Sequence, residues 1–209
     1  MGSSRTIALL SVPISVLALG VSGLTLWLSH LRQGHIPMTR PAIFFFGWDK
    51  PDHPSPKIFF RSLLFSTANS GRVLENMYIR VKSPLGEAIF SFWGHTNSES
   101  NSLTRGSGLF IGKEGFLANH HFNPDPSIAV NNPYPMGEYE IEVITRQFGD
   151  TTDRKLGRFV LQLDQEMATS LEKKDEAVMW TLNPRVHSYH AEHSQRSRAP
   201  LSPFKSLLS

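Results

Sequence analysis

Polar and apolar positions follow two different rhythms along this chain. The run 6–28, TIALLSVPISVLALGVSGLTLWL, opens at Thr6, closes at Leu28 and carries no charge. As a helix rising about 1.5 Å per residue it reaches roughly 35 Å, enough for a hydrocarbon core of about 30 Å. The pattern predicts a single transmembrane helix, with residues 1–30 as an N-terminal anchor. Trp27 falls where an interfacial aromatic belongs. Val21-Ser22-Gly23 has the small residues of a signal cleavage site. Cleavage there would leave an apolar new terminus, so the anchor is read as uncleaved.

Residues 31–39, with Gly34 and Pro37, read as a juxtamembrane linker. Strand candidates bounded by turn residues follow at 41–46, 57–66, 76–82, 88–93, 108–111, 116–121, 138–145, 158–163 and 177–182, and several of them alternate with period two. Met77, Ile79 and Val81 share one face; Tyr78, Arg80 and Lys82 share the other. Tyr139, Ile141 and Val143 point inward while Glu138, Glu140 and Glu142 point out, and Phe159, Leu161 and Leu163 repeat the pattern. Short strands at this spacing predict two packed antiparallel sheets, a mainly β sandwich over 40–182. One short helix is expected at 165–174, with Asp164 as N-cap and Met167, Ala168 and Leu171 at helical spacing. From Asn183 the chain is rich in Ser, His, Arg and Pro, and 183–209 reads as a disordered tail.

Met136-Gly137-Glu138-Tyr139-Glu140-Ile141-Glu142-Val143 resembles the Gly-x-Tyr strand start of immunoglobulin-like sandwiches, where the tyrosine turns back to bond the preceding corner. The resemblance implies an immunoglobulin-like topology. The Cys–Trp–Cys set of antibody domains is absent.

Composition narrows the chemistry. There are no cysteines, which excludes disulfides, thiolate metal sites and a cysteine nucleophile. Net charge is +3, and between residues 31 and 82 eight basic side chains face three acidic ones. Next to an apolar span this surplus suits anionic lipid headgroups better than nucleic acid, so the bilayer is the expected partner and nucleic acid is not. Neither a Walker loop nor a dinucleotide fingerprint appears.

Gly106-Ser107-Gly108 through Asn119-His120-His121 resembles the hairpin that delivers the catalytic histidine in trypsin-fold periplasmic proteases, which would make His121 a general base. That family also needs a later Gly-x-Ser-Gly nucleophile loop. None follows here, Ser107 precedes the histidine, and the domain is too short for two barrels. The likeness is read as coincidental, and no enzyme activity or cofactor is expected. His120 and His121 remain the candidates for a metal or small ligand, although adjacent strand residues point to opposite faces. His187, His190 and His193 repeat every three residues in the expected tail.

Taken together, the N-terminal span, Arg72-Val73-Leu74-Glu75-Asn76, Arg105-Gly106-Ser107-Gly108-Leu109, Asn119-His120-His121-Phe122 and Gly137-Glu138-Tyr139 resemble an uncharacterised bacterial family of small anchored proteins. The resemblance implies no activity. The sequence therefore points to a single-pass, non-enzymatic protein-interaction or envelope-assembly module, whose partners are the bilayer and another membrane or envelope protein. The positive-inside count, with Arg5 before the span and Arg32 and Arg40 after it, leans slightly towards a cytoplasmic domain, whereas a short N-terminus ahead of a long domain favours the outer, periplasmic or extracellular, side, which is the expectation taken. The alternative is a small-ligand or metal-binding module using the His120–His121 hairpin end.

Overall fold

A computed structural model describes residues 3–27, 34–49, 55–97, 102–106, 108–124 and 134–195. The apolar run begins the chain as α1 (Ser3–Leu26), a 24-residue helix containing Pro13. Its side chains are described from Pro13 onward, and every one of them through Trp27 is exposed. Among the described residues no helix is long and apolar enough to cross a membrane. The expected transmembrane helix is therefore not supported at this level. Thr6 lies in α1 with its side chain outside the described set, and Leu28 lies outside the described residues altogether.

The rest is strand-rich: β1 (Ile43–Trp48), β2 (Pro56–Leu64), β3 (Arg72–Ser83), β4 (Gly86–Asn97), β5 (Leu103–Arg105), β6 (Leu109–Ile111), β7 (Phe116–Pro124), β8 (Gly137–Gln147), β9 (Arg154–Leu163), α2 (Gln165–Glu172), β10 (Glu176–Asn183) and β11 (Ser188–Gln195). All pairings are antiparallel, in the order β11-β10-β1-β2-β7-β4-β3-β8-β9, with β5 added to β4 and β6 to β3. This is one continuous, nearly barrel-shaped sheet and not the expected two-sheet immunoglobulin-like sandwich.

The reason lies in the long central strands. Register breaks at Leu74/Asn76, Phe92/Gly94 and Val143/Ile144 add residues to one strand of a pair, which bends the sheet and increases its twist. It curls until rings from β1 meet rings from β8 and β9: Phe46 lies 5.4 Å from Tyr139 and Phe44 lies 5.5 Å from Phe159. Phe44, Phe46, Phe60, Phe122 and Trp180 are almost wholly buried on this inner face. Each contributes roughly 1.5–3 kcal/mol from leaving water. The Tyr139 hydroxyl donates to the Pro135 carbonyl at 2.6 Å, as the Gly-x-Tyr motif implies, but within a different topology.

The two ends of the curled sheet differ. At the near end the chain arrives from α1: Arg72 Nη1 donates to the Gly34 carbonyl at 2.6 Å, and the His35 amide donates to Thr67 Oγ1. The described part of the expected linker, 34–39, is docked along β2, with Ile36 buried and Met38 bridged to Leu64. At the far end α2 covers the sheet. Asp164 caps it by accepting from the Met167 amide at 2.8 Å, and Trp48 Nε1 donates to the Leu171 carbonyl. The expected tail also needs correction, because β11 forms within it and pairs with β10 along its whole length. A tyrosine explains the difference: Tyr189 places its ring 5.2 Å from Phe44 and donates its hydroxyl to the Pro41 carbonyl. Residues 196–209 lie outside the described set.

Candidate functional site

His120 and His121 sit on β7 in register with Phe60 and Phe59 of β2, and the strand sends their rings to opposite faces. The His120 ring is fully buried among Phe60, Phe92 and Phe116, with centroid distances of 5.4, 6.3 and 6.1 Å. Its Nε2 lies 3.4 Å from the Ser62 carbonyl. Burial pushes its pKa down to about 4, opposed by the Ser62 carbonyl and assisted by His95. His95 lies directly across on β4, in register with His120, against Phe116.

His121 lies on the outer face between Phe59 at 5.2 Å and Trp93 at 5.9 Å, with Nε2 2.8 Å from Thr96 Oγ1. Burial first, then the Lys57 cation, and then His120 and His95 lower its pKa to about 3. Lys57 Nζ also sits 4.7 Å from the Trp93 ring centroid, and Arg105 packs on the same ring. The structure thus separates the two histidines by the thickness of the sheet and sets a cation beside the outer one. Among the described residues no group of three or more His, Cys, Asp or Glu side chains is placed to hold a metal ion. His187 lies in the β10–β11 turn, while His190 and His193 pair opposite Thr181 and Val178 on β11, so their three-residue spacing builds no helical face. Ser107 lies outside the described residues.

Several inward-facing polar side chains are buried in a way that alternation alone does not reveal. Ser62, His120, Thr145 and Gln147 are all buried, and among the described residues Ser62 Oγ, the His95 and His120 Nδ1 atoms, Thr145 Oγ1 and both Gln147 amide atoms have no hydrogen-bond partner. Thr145 and Gln147 continue the inward series of Tyr139, Ile141 and Val143, so their burial follows from strand length. Unsatisfied buried polar groups cost about 1–3 kcal/mol each. Their burial is a cost that the surrounding aromatic packing offsets.

A roomy opening lies where the sheet fails to close. β9 and β11 end the strand order, and neither has a second strand partner among the described strands. Both line one groove of about 670 Å³, within the range of about 300–1,000 Å³ usual for ligand sites. Side chains, not backbone pairs, span this seam. On its floor the Phe44 ring touches Phe159 of β9 and Tyr189 of β11. Trp180 Nε1 donates across to the Gln162 carbonyl of β9 at 3.2 Å. At the near end Arg40 Nη1 donates to the His187 carbonyl at 2.8 Å. Arg158 on the β9 wall is paired with Glu140. The walls present strand edges, whose amides and carbonyls are the natural partners of another extended chain. Of these seam residues only His187, raised with His190 and His193 for its three-residue spacing, was a sequence candidate, and for a metal rather than a groove. The available signal was Tyr189 alternating with Ala191 after a Pro-containing turn, masked by the polar composition around it.

Comparison with known proteins found no matching family model, no matching curated protein and no matching solved structure.

Proposed function

We propose that this chain is a membrane-anchored, non-enzymatic interaction module whose β-domain accepts an extended segment of a partner protein at the seam between β9 and β11. One observation carries the reading: two edge strands face a single groove, held together only by side chains at its floor and ends. Addition of a strand there would supply main-chain hydrogen bonds and turn an open edge into a paired one. The anchoring half of the proposal rests on the uncharged run 6–28 and on the exposure of Ile14, Leu17, Leu19 and Leu24 along α1, which calls for an apolar surrounding. The domain is placed on the outer side of the membrane, with a membrane or envelope protein as its partner.

The test is site-specific photocrosslinking in intact membranes from Val160 on one wall and His190 on the other, with Leu85 at the far end as control. The expected result is one common adduct from both walls and none from the control. Absence of an adduct from either wall, or the same adduct from Leu85, overturns the seam as the docking site. Protease accessibility of the β-domain in sealed vesicles tests the orientation separately.

A further inference from the structure

We infer that the far end of the curled sheet holds a binding site for a small apolar molecule the size of a single aromatic ring. A cavity of about 180 Å³ lies there between the β3–β4 hairpin, the first residues of β2 and the start of β8. It is distinct from the seam and does not depend on it. It also lies at the opposite end from Gly34, where the chain arrives from α1, so it opens away from the proposed anchor.

Its walls define what it can hold. Ile58, Val81, Ala88 and Phe90 contribute inward side chains, and Tyr134 and Tyr139 contribute ring surface. The polar atoms nearby already have partners inside the protein. Tyr134 donates its hydroxyl to the carbonyls of Gly47 and Lys57, at 3.1 and 3.0 Å, and Tyr139 donates to Pro135. Ser83 Oγ donates to the Gly86 carbonyl, and the Glu87 carboxylate is held by Arg80 at 3.1 Å. A polar guest would lose its hydrogen bonds to water and regain few, since most polar atoms of the walls are already engaged. An apolar guest loses nothing of the kind. Apolar cavities of about 150 Å³ stay dry and admit benzene, so this volume suits one ring or a branched hydrocarbon of similar bulk. The walls are firm on three sides, because Ile58, Val81, Phe90, Tyr134 and Tyr139 are all buried in the main core. Exposed Leu85, on the turn closing the β3–β4 hairpin, forms the rim.

The experiment uses the full chain in lipid nanodiscs with labelled methyl groups and fluorobenzene as probe. The Ile58 and Val81 methyl signals are expected to shift saturably. The Ile14 and Leu17 signals report the probe's partition into lipid and are expected to change without saturation. Ala88→Leu fills the cavity and is expected to abolish the Ile58 and Val81 shifts while the melting midpoint holds or rises. Phenol, nearly the same shape, is expected to bind at least about ten-fold more weakly, since its hydroxyl exchanges water for walls that are mostly apolar or already paired. Unmoved Ile58 and Val81 signals, shifts that only track those of Ile14 and Leu17, equal shifts in a folded A88L chain, or equal affinity for phenol would each overturn the site. The phenol comparison needs no variant, so it decides the matter even if A88L does not fold.

Discussion

Two adjacent histidines with depressed pKa values make this fold sensitive to acid. His120 is neutral inside the sheet and His121 is neutral outside it, with pKa values lowered to about 4 and about 3. In the unfolded chain both return to about 6.5. Below that value the unfolded state binds more protons than the folded one, so stability is complete above about pH 6.5 and falls as pH drops toward 4. At about 1.4 kcal/mol per unit, His120 alone removes on the order of 3 kcal/mol by the bottom of that window. The melting midpoint should therefore fall steadily from pH 7 to pH 4.5. His120→Leu should flatten that slope, leaving the share due to His121 and His95. An unchanged slope in H120L would mean that His120 is already protonated, or solvated, in the folded chain.

At the level of elements, the strand runs read from alternation correspond to β1, β2, β3, β4, β6, β7, β8, β9 and β10, and the Asp164 cap and helix appear where the spacing puts them. Period-two patterning reports which face of a strand is apolar, and Met77, Ile79 and Val81 are indeed buried while Lys82 is exposed. It does not report which strands pair. A sandwich and a curled single sheet share the same inside–outside pattern, and the bulges that choose between them leave no composition signal. Glu142 illustrates the limit from the polar side. It sits on the outer face as expected, yet it is buried, between Arg80 at 3.0 Å and Lys155 at 2.8 Å. The candidate seam was illegible for a related reason, since it exists only where two strands distant in sequence fail to pair. One local motif did carry through: Tyr139 spans from β8 back to Pro135. Tyr139→Phe removes that bond and leaves a carbonyl without its donor, so it should cost about 1 kcal/mol, read as a lower denaturant midpoint with unchanged slope. A cost near zero would reduce the tyrosine corner to ring packing alone.

At the scale of the whole molecule, the described strands form a chain of β-pairs that stops one pairing short of a closed barrel, and stability should be graded accordingly. β3 and β8 sit inside the sheet with partners on both sides, whereas β9 and β11 have one partner each and a groove on the other. In a closed barrel every strand amide would need a concerted opening to exchange with solvent. In an open one the edge amides facing the groove are released by local fluctuations. The inner strands must instead break two ladders and expose Met77, Ile79, Ile141 and Val143, all of which are buried. Hydrogen exchange of the full chain in nanodiscs should thus show β3 and β8 protected longest, with β9 and β11 exchanging far sooner on alternate residues, those pointing into the seam. Addition of the bound partner segment should slow those alternate amides and leave β3 and β8 unchanged. If β9 and β11 exchange as slowly as β3 without any partner, the seam is already closed by backbone hydrogen bonds, and its proposed role as a strand acceptor is lost.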